Sequence, residues 1–253
     1  MHAGRLEPLP RRSVVYPDSD GMPMADNTLQ FEWIVTIKEN LDVRLPDFVA
    51  GDLLWYPVEG DPKLRAAPDV LVALGRPKGY RGSYRQWEEG NVPPTVVFEV
   101  LSPGNTFPEM VKKLQFYDRH GAEEFYIFDP DRLTLAGYVR RGAALVPVDQ
   151  LAGFVSPRLG IRFELRDDGL EIFDREGARF RSYADLAKAH REQLERAQQE
   201  TARAEAEKDR AEAEKHRAQV EQARAEAAEG LLAREREHVA ALLAKLRLAG
   251  LEP

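Results

Sequence analysis

The sequence has no cysteine among its 253 residues. This absence excludes a disulfide framework and any metal site with thiolate ligands. It also has no apolar run near the roughly 20 residues that cross a bilayer as a helix, and its N-terminal stretch lacks the apolar core of a signal peptide. We therefore expect a soluble, cytoplasmic protein with no membrane partner.

Positive charge is in short supply, with 36 basic against 43 acidic side chains and a formal net charge of -7. Because affinity for a nucleic-acid backbone comes from Lys and Arg, an acidic chain needs its basic residues clustered to bind one. One such cluster lies within residues 75–91, where Tyr80, Tyr84 and Trp87 alternate with Arg76, Lys78, Arg81 and Arg85. Such a loop suits phosphates and unpaired bases. Equally, it is a surface loop whose rings pack on the sheet and whose arginines pair with Glu88 and Glu89.

The stretch from Pro93 to Pro130 organises the predicted fold. Residues 95–101 form an apolar run typical of a buried strand, 106–119 have helical spacing, and 124–128 form a second apolar strand. A strand–helix–strand unit makes the two strands parallel neighbours in a sheet. Together with the shorter predicted strands on both sides of it, this unit predicts an α/β fold with a central mixed sheet flanked by helices.

Two acidic residues stand out in the apolar strands. Glu99 interrupts the first strand of the unit, and Asp69 follows Pro68 at the start of an apolar run upstream. A buried, uncompensated carboxylate costs on the order of several kcal/mol, so Glu99 must be neutralised or bind a cation. Two acids on neighbouring strands repel, and a divalent cation removes that repulsion. Taken alone, the Pro-Asp pair fits a simple turn equally well.

Three motifs follow one another in the chain: the pair Pro68-Asp69, the sequence EVLSP from Glu99 to Pro103 and the pattern KLxxY from Lys113 to Tyr117. In this order they resemble the Uma-two family of restriction endonucleases, which belongs to the PD-(D/E)XK nuclease superfamily. The resemblance covers roughly residues 17–181. The resemblance implies a restriction-endonuclease-like core. It also implies Asp69 and Glu99 as metal ligands, the carbonyl of Val100 as a further ligand, and Lys113 as the catalytic lysine.

The same resemblance implies an endonuclease that uses Mg²⁺ or Mn²⁺ to hydrolyse phosphodiester bonds, with DNA as the expected substrate. One position departs from the superfamily pattern: Leu101 stands where a lysine normally follows the acid on the same face of the strand. Lys113 must then replace it from the helix. This departure keeps an alternative open, in which a non-cleaving protein of the same fold acts as a binding or assembly module through its helical tail.

Two further acids are auxiliary candidates. Glu32 lies on the predicted first helix, where the superfamily often has another acid, although a solvated glutamate explains it as well. Glu109 lies four residues before Lys113 on the same helix face. Residues this far apart on a helix are neighbours, so Glu109 is expected either to orient the lysine or to form a surface pair.

Three parts are predicted along the chain: a flexible arm over residues 1–20, a nuclease-like domain over 21–181, and a charged, Ala-rich helix or weak coiled coil over 182–253. Ser182 and Asp185 match a capping box. In the tail, Ala recurs every seven residues, but the second seam is polar or charged, whereas a coiled coil needs both seams apolar. An apolar stripe near the end favours self-association, and we expect a homodimer.

Overall fold

The computed structural model describes residues 14–19, 21, 23–167 and 169–248. The chain divides into two units, Met1–Leu186 and Ala187–Pro253. Most of the predicted flexible arm, residues 1–20, lies outside the described residues. Its described part contacts the domain, since the phenol of Tyr56 donates to the carbonyl of Pro17 at 2.7 Å. Within the described ranges, no helix is both long and apolar enough to cross a membrane.

The helices of the described residues are separated by runs of strands. The elements are α1 (Thr28–Arg44), β1 (Asp47–Gly51), β2 (Trp55–Tyr56), β3 (Val70–Pro77), β4 (Tyr84–Arg85), β5 (Val96–Val100), α2 (Phe107–His120), β6 (Glu124–Asp129), β7 (Thr134–Arg141), β8 (Ala144–Pro147), β9 (Arg162–Arg166), β10 (Gly169–Phe173) and α3 (Tyr183–Leu248). β1 ends at Gly51 because the next residue, Asp52, has a left-handed φ of 48°, which an extended strand cannot include.

A six-stranded mixed sheet forms the centre of the first unit, in the order β1-β3-β5-β6-β7-β8. β5 and β6 are parallel, and the other neighbouring strands are antiparallel. α2 connects the two parallel strands, as the strand–helix–strand pattern predicts. It ends at Gly121, whose φ of 97° is the left-handed conformation that glycine adopts without strain. The predicted fold class, a mixed sheet flanked by helices, is confirmed.

The two faces of the sheet have separate cores. Side chains alternate between the faces along a strand, so even-numbered residues of β3 and β5 pack with α1 and the β9–β10 hairpin. The odd-numbered residues pack with α2 instead. Among these are Leu71 and Ala73 of β3 and Val97 of β5, in one cluster with Tyr117. The face covered by α2 is therefore where odd-numbered polar residues of these strands meet the helix.

The second unit consists of most of α3, a helix of 66 residues. Its start has the predicted capping box: the Asp185 N–H donates to Ser182 Oγ at 3.2 Å, and the Ser182 N–H donates to the Asp185 carboxylate at 3.1 Å. The side chains from residue 190 to 247 are exposed. Exposed apolar side chains near its end are those of the predicted stripe, Val239, Leu242, Leu243 and Leu246.

Candidate active site

Strand register places Asp69 and Glu99 on the same face of the sheet. Val70 pairs with Phe98 in the antiparallel β3–β5 ladder. The residue before Val70 is therefore opposite the residue after Phe98, so Asp69 lies opposite Glu99. Directly opposed residues share a face of the sheet. For these two odd-numbered residues it is the face that α2 covers. Asp69 lies just before the first residue of β3, at an end of the strand.

Glu99 is held by two side chains from α2. Its carboxylate is 2% exposed. Lys113 Nζ lies 2.7 Å from Oε2, and the Tyr117 hydroxyl donates to Oε1 at 2.5 Å. Residues 113 and 117 are four apart and so share one helix face. The buried charge that made Glu99 anomalous in the sequence thus has a cation and a hydrogen-bond donor.

The α2 side chains remain protonated at neutral pH. Burial lowers the pKa of Lys113, but the charge of Glu99 and the hydrogen bond to it outweigh burial, so the pKa lies above its ordinary 10.5. Burial, and then the charge of Glu99, raise the pKa of Tyr117 well above its ordinary value. Lys113 is therefore a cation at neutral pH, and Tyr117 is a hydrogen-bond donor there.

Asp69 lacks comparable compensation. Its Oδ2 accepts a hydrogen bond from the Val100 N–H at 2.6 Å. Burial, and next the charge of Glu99, raise the pKa of Asp69 to about 8. Asp69 is therefore mostly protonated at neutral pH unless further positive charge arrives. This deficit of positive charge is what a bound cation would remove.

The backbone of Val100 is pinned on both sides by side chains. Asp69 binds its N–H, and Gln30 of α1 donates from Nε2 to its carbonyl at 2.8 Å. Gln30 is only 6% exposed, and its Oε1 accepts from the Asp26 N–H at 2.8 Å. Val100 pairs with Phe128 of β6 on one side. On its other side β3 begins only at Val70, so there the side chains of Asp69 and Gln30 bind Val100 instead of a strand. Gln30 is a site residue that sequence analysis missed, although a polar side chain on the core face of α1 was a usable signal.

The two auxiliary acids lie elsewhere. Glu32 is exposed and lines a cleft with Trp33, Leu170 and Arg179, on the face of the sheet that α1 covers. Glu109 accepts from the Thr106 N–H at 3.4 Å and so caps the start of α2. Its charge contributes, after those of the site carboxylates, to the raised pKa of Lys113. Glu32 is therefore not brought to the carboxylate pair, and Glu109 reaches the site only electrostatically.

The four basic residues of the 75–91 loop all have partners within the chain. The guanidinium of Arg81 lies 2.6 Å from the Glu89 carboxylate and 3.9 Å above the centre of the Phe48 ring. The other contacts join Arg85 to Glu88 at 3.3 Å, Lys78 to Asp42 at 2.9 Å, and Arg76 to the Glu89 carbonyl at 3.1 Å. The contacts with Glu88 and Glu89 match the alternative in which these residues form a surface loop whose arginines pair with the two acids. Nucleic-acid binding by the loop stays a prediction.

The donor set suits a hard divalent cation. Asp69, Glu99 and the Val100 carbonyl offer only oxygen atoms. In the part of the chain that the structure describes, no group of three or more His, Cys, Asp or Glu side chains is placed to hold a metal. Mg²⁺ commonly binds through one or two carboxylates and completes its shell with water and substrate phosphate. The residues present therefore fit Mg²⁺ better than an ion that needs a full protein cage.

A family model identifies the family of this chain. A family model described as "Putative restriction endonuclease", Uma2, matches residues 21–172, more than half of the chain. The chain belongs to the Uma2 family. The expected family is thus confirmed, and membership supports a nuclease-like function.

No curated protein matched the chain. Among solved structures, the crystal structure of a "putative nuclease belonging to DUF820" from Anabaena variabilis is similar at 18% identity, with a TM-score of 0.36. The similarity covers 51% of this chain and 69% of that one. At this level of similarity no residue role is carried over from it.

Proposed function

We propose that this protein is a Mg²⁺- or Mn²⁺-dependent endonuclease that hydrolyses phosphodiester bonds of DNA. The observation that carries the proposal is the meeting of Asp69, Glu99 and Lys113 on one face of the sheet. They come from the start of β3, from β5 and from α2. The raised pKa of Asp69 supports a cation between the two carboxylates. Membership of the Uma2 family supports the reaction class.

Each residue has a distinct part in this proposal. Asp69 and Glu99 hold the cation, with the Val100 carbonyl as a further ligand. When bound, a divalent cation lowers the pKa of a coordinated water and offsets charge on the phosphate. Lys113 already holds a proton, so it stabilises negative charge developing on the phosphate oxygens, which is a larger effect in a partly dehydrated site. A protonated lysine is not suited to removing a proton from water.

The same proposal extends to the substrate and to assembly. Lys78 has the most exposed side chain of the three loop cations paired with a carboxylate, 44%, against 31% for Arg85 and 14% for Arg81. Exchanging a weak surface ion pair for a phosphate contact costs little free energy. Lys78 and Arg85 are therefore the first candidates to contact DNA. The apolar stripe of α3 supports a homodimer.

The alternative is a non-cleaving protein of the same fold that binds or assembles through α3. It is favoured by a different observation: both oxygens of Glu99 already have partners, Lys113 and Tyr117. In that case the site is a structural network and the exposed helix is the functional element.

Cleavage of supercoiled plasmid by the full chain separates the two proposals. Glu99→Gln is compared with Glu124→Gln, because Glu124 is an equally buried carboxylate, 1% exposed, on the other face of the sheet. We expect wild type and Glu124→Gln to cleave with Mg²⁺ or Mn²⁺ and to stop in EDTA. Asp69→Ala and Glu99→Gln should be inactive while remaining folded. A folded wild type that never cleaves supports the alternative, and cleavage in EDTA contradicts the metal-dependent proposal.

A further inference from the structure

Two buried tyrosine–glutamate pairs lie on opposite faces of the central sheet. In one, Tyr117 donates to Glu99 at 2.5 Å, and in the other Tyr126 donates to Glu124 at 2.9 Å. None of the four side chains is more than 2% exposed. The pairs are chemically alike, so their difference lies in what else each carboxylate contacts.

The Glu124 carboxylate has structural partners on both oxygens. The Ser156 and Tyr126 hydroxyls both donate to Oε2 of Glu124, and the Arg158 N–H donates to Oε1 at 2.6 Å. This network ties the loop before β9 to the first residue of β6. A buried polar group that is fully hydrogen-bonded stabilises one arrangement of the chain, and nothing in this network calls for a ligand.

The Glu99 carboxylate is bonded differently, because one of its oxygens faces a charged group. Tyr117 takes Oε1, while Oε2 faces Lys113, whose side chain is 23% exposed. Oε1 therefore points into the protein, and Oε2 points toward the accessible side of the site.

The ring of Tyr117 has little freedom to move. It stacks on Trp55 with a centroid distance of 6.0 Å and meets Phe125 edge-on at 5.0 Å. Tyr117 is also fully buried. The hydrogen bond therefore holds the Glu99 carboxylate in one orientation.

We propose that Tyr117 is a positioning residue for the cation site, which holds Oε1 of Glu99 so that Oε2 alone serves Lys113 and the cation. This inference rests on the proposed function. Groups that bond a metal ligand from outside the coordination shell orient it, and removing one commonly weakens metal binding or activity about 10- to 100-fold. Tyr126 should have no such effect, because Glu124 belongs to a closed structural network.

The test compares Tyr117→Phe with Tyr126→Phe in the full chain. Each substitution removes one hydroxyl and leaves one buried glutamate without that hydrogen bond. Mn²⁺ binding is measured from the electron paramagnetic resonance of the free ion. We expect Tyr117→Phe to bind Mn²⁺ about 10-fold or more weakly and Tyr126→Phe to bind it like wild type. With Mg²⁺, the maximal cleavage rate of Tyr117→Phe should fall while its KM for DNA stays unchanged.

Different results overturn different claims. Equal Mn²⁺ affinity in wild type and Tyr117→Phe overturns the positioning role alone, whereas a folded wild type that binds neither Mn²⁺ nor Mg²⁺ overturns the proposed function as well. A second measurement needs no variant: the ¹³Cζ resonance of Tyr117 in labelled wild type should shift saturably with Mg²⁺, and that of Tyr126 should not. If Tyr117→Phe fails to fold, a Tyr117 resonance unmoved by Mg²⁺ overturns the inference.

Discussion

Lys113 Nζ lies 2.7 Å from Glu99 Oε2, so a lysine on α2 reaches the carboxylate of β5. In the superfamily pattern the lysine stands at the position of Leu101, two residues after the acid on the same strand. Here the ammonium enters from the helix that packs on that face. The lysine's position therefore depends on the docking of α2, which the neighbouring contact of Tyr117 with Glu99 reinforces.

Replacing Lys113 with Met should remove cleavage while leaving metal binding in place. Loss of one preorganised group that stabilises transition-state charge costs about 100- to 1000-fold in rate. The matched control is Lys112→Met, because Lys112 is the adjacent, exposed lysine of α2. Single-turnover cleavage with Mg²⁺ measures the effect. Equal loss in both variants, or no loss in Lys113→Met, would contradict the role given to Lys113.

The free energy of unfolding of the metal-free protein should fall as the pH rises, because of the titration of Asp69. Its pKa is raised to about 8 in the fold, against 3.8 ordinarily. Below about pH 4 the group is protonated in both states and has no cost. Between pH 4 and 8 the unfolded chain loses the proton while the folded chain keeps it, so stability falls as the pH rises.

Asp69→Asn removes this titration. In EDTA, urea unfolding should show the variant gaining stability over wild type at pH 8 and losing that advantage near pH 4. Glu59→Gln, at an exposed carboxylate, is the control and should show no such trend. A difference between Asp69→Asn and wild type that is the same at both pH values would mean that Asp69 is not buried beside Glu99 as described.

Glu99 could be singled out from the sequence because its signal is local. A charge inside an apolar strand is costly wherever the strand goes, so Glu99 stands out in the sequence without any knowledge of the fold. The partners could not be predicted this way. Gln30 meets Val100 across 70 positions of the chain, and only the docking of α1 on the sheet decides which backbone group this side chain binds.

Glu124 shows the same limit. It opens an apolar strand, where a charged residue usually marks the solvent-exposed end. The structure buries it, and burial raises its pKa despite the hydrogen bonds from Ser156 and Tyr126 that lower it. Its partner Ser156 lies 32 positions away in a loop. Strand register and long-range packing decide both the partners of Val100 and the burial of Glu124. Hydrophobic periodicity in the sequence shows neither strand register nor long-range packing.

The loop of residues 75–91 should contribute to DNA affinity through its more exposed cations. Replacing Lys78 and Arg85 with Gln should reduce the slope of log affinity against log salt by about one for each lost phosphate contact. Fluorescence anisotropy over a salt series, with Ca²⁺ in place of Mg²⁺, measures the slope. Arg179→Gln is the control, since Arg179 is a similarly exposed cation on the α1 face. An unchanged slope would leave the loop a purely structural insertion.

Arg81 should instead contribute to stability. Its side chain is 14% exposed, forms two hydrogen bonds with the Glu89 carboxylate and covers the Phe48 ring. Hydrogen bonds to charged groups contribute about 1.5–3 kcal/mol when they are shielded from water. We expect Arg81→Ala to lower the free energy of unfolding by about that much, measured by urea titration. A loss no larger than that of Arg85→Ala would show that the pair is effectively solvent-screened.

The tail should hold two copies of the chain together through its end. A helix of 66 residues is about 100 Å long at 1.5 Å per residue. Along most of it, Ala and charged residues offer little apolar surface to bury. The terminal stripe differs, because Val239, Leu242, Leu243 and Leu246 are each 41–54% exposed on one side of the helix. Covering it with the same stripe of a second copy would remove that apolar area from water.

Sedimentation tests this association at tens of micromolar protein. The full chain should sediment as a dimer, and the double variant Leu242→Gln, Leu243→Gln as a monomer. Leu194→Gln is the control, because Leu194 is similarly exposed, 53%, but lies near the start of α3. A chain ending at Leu186 keeps the Ser182–Asp185 capping box and should be a folded monomer that still binds Mn²⁺. A monomeric full chain would refute the association, and an unfolded truncated chain would show that the first unit needs α3.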